Sequence, residues 1–154
     1  MGPSVEQIRA AIVAKMETVD DIGRVHGFER YAREQKRFLE LYKPELHDEI
    51  RGWFVRRVGT VGTSPALTRH SDLHRWRISG FMSLDDERQS EVAFDTLIEA
   101  MRAAFRTDET LNGLIGGMSD GRVNGLQLDE SQPVSFAGVL CHSARLTLYT
   151  RTHA

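Results

Sequence analysis

The sequence predicts an α+β domain, in which a small mixed or mostly antiparallel sheet of about four strands is flanked by two to three helices. Segments with helical spacing of apolar residues and segments with strand-like alternation are both present, and they do not follow one another in strict β-α-β order. The length of 154 residues suits a single domain over 1–154, large enough to bury a core. Within it we expect a flexible N-terminus at 1–3 and long loops at 62–72 and 112–125.

The first part of the chain predicts two helices. Ser4 followed three residues later by Gln7 is a capping-box pattern, and the apolar residues behind it recur at helical spacing, so a helix is expected from 4 to 18. A short extended piece is expected at 24–26, within a stretch that contains two glycines. Aromatic residues then recur near helical spacing over 28–43, which predicts a second helix that the following proline ends.

The middle of the chain predicts a β-hairpin. Residues 51–61 are rich in β-branched and aromatic side chains, and residues 73–84 alternate, with Trp76 and Arg75 on opposite faces. These two segments are therefore expected to pair as antiparallel strands, joined by a long, basic loop at 62–72.

The last part of the chain predicts a helix and two further strands. A strong amphipathic stripe predicts a helix over 86–107, with acidic residues in its first turn, where the helix dipole favours them. Five glycines within 112–125 predict a mobile loop. A short strand is expected within 123–130 and a long final strand over 135–153. Both faces of that final strand are partly apolar, which suits a central strand or one that packs against another subunit.

Net charge, hydropathy and cysteine content argue against several classes of protein. The formal net charge of −2 gives no global attraction to nucleic acid or to an anionic membrane. No run of about 18 apolar residues is present, so no membrane-spanning segment is expected. Cys141 is the only cysteine, which excludes an intrachain disulfide and fits a reducing compartment.

The histidines and the cysteine give weak signals for catalysis. His70 and His74 have the spacing of helical metal ligands, but in a strand they would lie about 13 Å apart, too far to share one ion. Only a curled loop that borrowed Asp72, His26 or His142 would bring ligands together. Cys141 and His142 are neighbours in a strand and so point to opposite faces. No nucleophile-elbow, P-loop or dinucleotide-binding pattern is present. We therefore expect no catalytic residue, no metal and no cofactor, and not an enzyme.

Arginines on the predicted hairpin leave two interpretations open. The hairpin carries Arg56, Arg57, Arg69, Arg75 and Arg77, and the last two share one strand face. Such a stripe could contact phosphates. It could equally be a solvated strand face or a surface that pairs with a neighbouring subunit.

The chain resembles tail terminator proteins of tailed phages and prophages. The resemblance covers most of the length and rests on four segments: IGRVHGFERYAREQKRFLELY (22–42), GWFVRRV (52–58), HRWRISGFMSLDDERQSEVAFDTLIEAMRAAF (74–105) and CHSARLTLYTR (141–151). The third is the most specific, with W-x-I-x-G, then L-D-D, then F-D-x-L-I.

This resemblance implies a sheet flanked by helices and a structural role in the virion, after assembly in the cytoplasm of a bacterial host. A hexameric ring of such a protein caps the head-proximal end of the tail tube, stops tube polymerisation and offers a surface for head attachment. The implied partners are further copies of the chain, the tail tube protein and the head–tail connector, with non-specific contact to passing DNA as an option and no membrane. The alternatives are another phage neck protein, for tail completion or head–tail joining, and more remotely a small metal- or DNA-binding protein.

The residues expected to form the ring contact lie on the hairpin and the final strand. A closed ring needs a heterologous contact, in which one surface patch meets a different one. The candidate assembly-interface residues are Arg69, Arg75, Arg77, Val139, Cys141 and Tyr149.

Overall fold

The computed structural model describes residues 2–44 and 49–153 and confirms the α+β class. It has three helices, a 3₁₀ turn and five strands. In chain order these are α1 (Val5–Glu17), β1 (Arg24–His26), α2 (Gln35–Glu40), β2 (Arg51–Ala66), β3 (Arg69–Ser83), the 3₁₀ turn (Asp86–Arg88), α3 (Ser90–Thr107), β4 (Gln127–Phe136) and β5 (Val139–His153). None of the helices in the described ranges combines the length and apolarity that crossing a bilayer requires.

The strands form one open, mixed sheet in the order β1-β2-β3-β5-β4. The short β1 runs parallel to β2, and all other neighbours are antiparallel. The sheet is therefore mostly antiparallel, as expected, with five strands instead of about four. Its centre is made by β3, which pairs with β2 on one side and with β5 on the other over almost its whole length.

Helices α1 and α3 cover one face of the sheet and form the main core with it. The apolar stripe of α1 and that of α3 are buried in one cluster with residues of β2, β3 and β5, among them Trp53, Trp76 and Leu148. Both indole N–H groups find acceptors: Trp53 Nε1 donates to the carbonyl of Ile22 at 2.8 Å, and Trp76 Nε1 donates to Thr150 Oγ1 at 2.9 Å. Such pairing is what lets two tryptophans be fully buried.

A second, smaller cluster covers only one end of the opposite face. Its buried members are Tyr42, Ile50, Phe54 and Cys141, and α2 contributes Phe38 to its edge. No helix of the described residues lies over the rest of that face, and several side chains there are exposed.

The first and third helices were predicted well. The capping box of α1 is present, because Ser4 Oγ accepts from Gln7 N at 3.1 Å and Gln7 Oε1 accepts from Ser4 N at 2.8 Å. The segment predicted as a helix over 86–107 begins instead with the 3₁₀ turn. Gln89 then adopts a left-handed conformation with φ 55°, and α3 starts at Ser90.

The predicted helix over 28–43 is wrong, since only Gln35–Glu40 is helical. The preceding residues fold back on the end of this segment. Tyr42 Oη donates to the carbonyl of Arg30 at 3.3 Å, and a ring nitrogen of His26 lies 2.6 Å from the carbonyl oxygen of Leu41. Tertiary contacts of the aromatic residues thus account for their spacing without a continuous helix.

The predicted loop at 62–72 is also wrong. β2 continues to Ala66, β3 begins at Arg69, and only two residues turn between them, with φ 67° at Thr68. Pro65 falls in the irregular stretch where the register shifts between Thr63 and Ala66, so its missing N–H interrupts no regular ladder.

The predicted single strand over 135–153 is a hairpin. Its first two residues end β4, and β5 follows after a turn at Ala137 and Gly138, with φ 50° and 82°. Two positive φ angles are what a tight two-residue hairpin needs. The strand expected within 123–130 corresponds to the start of β4. The loop predicted at 112–125 has no helix or strand of its own, although Ile115 and Met118 anchor it in the core.

Candidate interaction surface

The open part of the sheet carries an arginine-rich surface, which we call the arginine face: Arg56, Arg75, Arg77, Thr147 and Tyr149. Strand register places these residues side by side. Arg77 lies between Arg56 on β2 and Thr147 on β5, and Arg75 lies beside Tyr149. A shallow depression of about 480 Å³ lies over this surface, lined by Arg75, Arg77, Thr147 and Tyr149 together with residues 120, 122, 123 and 127–129.

Positive charge is concentrated at the centre of the arginine face. Arg56 and Arg77 are directly opposed across two strands, an arrangement of like charges that destabilises a sheet. Arg56 has one carboxylate near it, Glu29 Oε2 at 3.9 Å. Among the described residues, neither Arg75 nor Arg77 forms an ion pair.

The Nε atom of Arg77 is buried and has no hydrogen-bond partner in the described part of the chain. A buried donor without an acceptor costs about 1–3 kcal/mol. Native structures leave few such groups, and each calls for an explanation.

Acidic residues form the rim of the same depression. Asp120 and Asp129 line it, and Thr147 Oγ1 donates to an Asp129 carboxylate oxygen. Next to it, Arg145 Nη1 lies 3.3 Å from Glu130 Oε2. The surface therefore has a positive centre and a mixed rim, which differs from a continuous basic track.

The far end of the β2–β3 hairpin extends beyond the last pairing of β3 with β5, which joins Ser71 and His153. This end, residues 64–70, projects as an arm whose side chains are exposed. Leu67 at its tip is 94% exposed, and Val61, just before the arm, is 61% exposed. Arg69 belongs to this tip, so it is separated from Arg75 and Arg77 along β3. The sequence therefore grouped three arginines that the fold divides between the arm and the arginine face.

Two of the predicted interface residues belong to the interior instead. Cys141 is fully buried in the second cluster, and Val139 is half-buried against it. Burial also raises the pKa of the Cys141 thiol to about 11. Cys141 is thus removed from the candidate interface because α2 and the aromatic residues around it cover that end of the sheet. Tyr149 stays within it.

His70 and His74 bond to different hydroxyl groups. His70 Nδ1 lies 3.2 Å from Ser64 Oγ on the exposed arm, and His74 Nδ1 lies 2.8 Å from Thr60 Oγ1. Burial of His74 lowers its pKa below the usual value, an effect that Asp72 partly offsets and Arg57 adds to. In residues 2–44 and 49–153, no three acidic, histidine or cysteine side chains are grouped as metal ligands.

No pattern in the sequence predicted a buried serine–histidine pair that the structure contains. Ser90 Oγ lies 2.7 Å from His142 Nε2 and accepts from the backbone N–H of Asp85 at 2.8 Å. The partners are 52 positions apart, so no local spacing indicates them. Both are buried, and neither lines a described depression. The pair ties the start of α3 to β5, as a structural link would.

Comparison with protein-family models gave no match, and comparison with curated protein sequences gave none either. Function is therefore inferred from the surfaces described above and from the resemblance of the four sequence segments.

Proposed function

We propose that this chain is a structural component of a phage tail and acts as a tail terminator. It would form a hexameric ring on the head-proximal end of the tail tube, stop tube polymerisation and present a surface for head attachment. The proposal includes a non-enzymatic role, with further copies of the chain, the tube protein and the connector as partners.

The observation that carries an assembly role is the projecting arm. A two-stranded arm with an almost fully exposed leucine at its tip gains little from packing within its own chain. It also leaves the outer edge of β2 beyond Phe54 without a strand partner in the described residues. Exposed edges and exposed apolar side chains are liabilities for a free monomer and are expected where another subunit docks.

The choice of a tail terminator among assembly proteins rests on the sequence resemblance. Its most specific segment, W-x-I-x-G followed by L-D-D and F-D-x-L-I, runs from the centre of β3 through the 3₁₀ turn into α3. Arg75 and Arg77 precede that segment's glycine on the same strand. This order of strand, turn and helix supports a common scaffold for the interaction surface.

Electron microscopy of tails made with and without this chain tests the proposal. Overlong tubes in its absence, restored to uniform length by the wild-type chain, are the expected result. Tails of normal length without the chain would refute it. A neck protein for tail completion or head–tail joining would instead bind the connector and leave tube length unchanged, which separates the nearest alternative in the same experiment.

A further inference from the structure

We propose that the arginine face of one copy docks on the acidic outer surface of α3 in the next copy, so that the two layers of this domain make one head-to-tail contact. The inference rests on the proposed ring-forming function and names the surfaces that would make the ring contact. It replaces the expectation that Val139 and Cys141 take part.

The acidic surface lies on the 3₁₀ turn and on the exposed side of the first turns of α3. We call Asp86, Glu87, Glu91 and Asp95 the acidic helix face. All four residues are exposed, and none forms an ion pair within the described residues. The positive end of the helix dipole stabilises the first three, but its effect fades beyond the first turn and does not account for Asp95. Glu91 and Asp95 are also one turn apart, where like charges repel.

The two faces are complementary but cannot meet within one copy. Residues Phe94 and Ile98 of α3 pack on the core side of the sheet, whereas Arg75 and Arg77 point to the other side. Each face therefore needs a partner from outside, and the chain itself supplies a fitting one. A contact between two different patches of identical copies is heterologous, and it continues from copy to copy until it closes.

The acidic helix face also has exposed apolar surface beside it. Val92, the residue after Glu91, is 59% exposed on the outer side of α3. Apolar surface together with charged groups is the usual composition of a protein–protein contact. A carboxylate docked on the arginine face would also give Arg75 and Arg77 an ion-pair partner, which neither has among the described residues.

Nucleic acid is a poorer occupant of this surface. Asp129 lines the same depression, and its charge would repel a phosphate backbone, whereas Asp120 is paired there with Arg122 at 3.7 Å. The exposed Arg88 lies in the same turn as Asp86 and Glu87, so a neighbouring copy presents both charge signs, whereas DNA presents only one.

Sedimentation of the purified full chain tests the contact. The wild type should self-associate at about 0.05 M salt and dissociate towards about 1 M salt, because the Debye length falls from more than 10 Å to about 3 Å over that range. Reversing two charges of the arginine face, with Arg75→Glu and Arg77→Glu, should weaken association about tenfold or more. The matched control is Arg57→Glu, a neighbouring exposed residue whose register with Trp76 places it on the other side of the sheet. It should associate like the wild type.

Charge exchange makes the test specific for the two faces. Glu91→Arg with Asp95→Arg should also prevent association. An equimolar mixture of this variant with the reversed arginine face should associate again, since each variant then offers the other a matching surface. Circular dichroism and thermal melts of each variant check that the fold is kept.

Four results would overturn the proposal. The first three are a wild type that stays monomeric at every concentration and salt, association that does not respond to salt, and a mixture of the two variants that stays dissociated. The fourth comes from a DNA column: the wild type is retained on it, and the variant with Arg75→Glu and Arg77→Glu is not retained but still self-associates. The proposed function is judged separately by tail length. If the chain is needed for uniform tail length but the mixture of the two variants does not associate, only the proposed contact is refuted. If tails have normal length without the chain but the mixture associates, only the proposed function is refuted.

Discussion

Gly80 in the middle of β3 is predicted to be a position where a single methyl group destabilises the fold. A Cβ built on Gly80 would lie 2.8 Å from Cδ2 of Trp53 and closer still to Cε3 and Cζ3. Real Cβ atoms essentially never approach other atoms within 3.0 Å, so the indole would have to move. Its movement is restricted, because its N–H donates to the carbonyl of Ile22 and its ring stacks on Phe94 at a centroid distance of 5.6 Å.

The magnitude follows from overpacking of a fully buried site. Forcing an extra carbon into a well-packed core costs about 1–3 kcal/mol. Alanine offsets part of this by about 0.4–1 kcal/mol, because it has less freedom than glycine in the unfolded chain. We expect Gly80→Ala to lower the free energy of unfolding by a net of about 0.5–2.5 kcal/mol, which corresponds to a fall in Tm of about 1–10 °C for a chain of this size.

Urea and thermal unfolding of Gly80→Ala and Gly59→Ala measure the effect. Gly59 lies in β2, and a Cβ there would meet only atoms at 3.6 Å or more, which is ordinary contact. The control should therefore be neutral or slightly stabilising. In a Trp53→Phe background, the penalty of Gly80→Ala should shrink by about 1 kcal/mol, because the clashing ring atoms are gone. Equal stability of the two alanine variants, or an unchanged penalty in the Trp53→Phe background, would show that the indole is not the cause.

Three further outcomes are expected. The Cys141 thiol is buried, and its pKa is raised to about 11. It should therefore react with iodoacetamide about a thousandfold or more slowly in the native chain than in urea. Comparable rates, measured by mass spectrometry, would contradict its burial. Because the pKa of His74 is lowered in the folded state, the unfolded chain binds more protons below pH 6.5, so stability should be fullest above that pH and fall as the pH decreases through the folded pKa. Urea melts across this window should show a smaller loss for His74→Gln, and an identical pH profile would exclude His74 as the source. Leu67→Asp at the arm tip should leave Tm within about 1 °C, because the side chain is 94% exposed, yet give overlong tails; normal tail length would remove the arm from the proposed assembly contact.

Local sequence patterns correctly predicted α1, α3 and β3, because the residues of each element by themselves contain a cap, an apolar stripe or an alternation. The capping box of Ser4 and Gln7 located α1, and the apolar stripe from Phe94 to Phe105 located α3. The alternation in β3 was correct for the same reason, since its two faces meet different surroundings. These segments would be recognised in any fold that used them.

The hairpins were misjudged because pairing across the sheet outweighs local composition. Gly62 and Pro65 made residues 62–72 resemble a loop, but pairing with β3 includes Gly62 and resumes at Ala66 after the irregular stretch that holds Pro65. Residues 135–153 were wrongly predicted as one continuous strand, because the apolar alternation on both sides gave no indication of the turn at Ala137 and Gly138. That dipeptide did contain a usable signal, because glycine in the second turn position permits the positive φ of a tight hairpin.

The exposure of the arginine face and the wrong prediction of α2 have the same origin. Alternation correctly placed Arg75 and Arg77 on a shared side of β3, but it cannot tell which side a helix covers. A helix over all of 28–43 would be about 24 Å long and could cover roughly half of a strand that spans about 50 Å. The observed α2 has six residues, about 9 Å, and its aromatic contacts hold it over the Phe54 and Cys141 end of the sheet. The arginines are open to a partner because this helix is short, and its length is set by contacts that no local pattern contains.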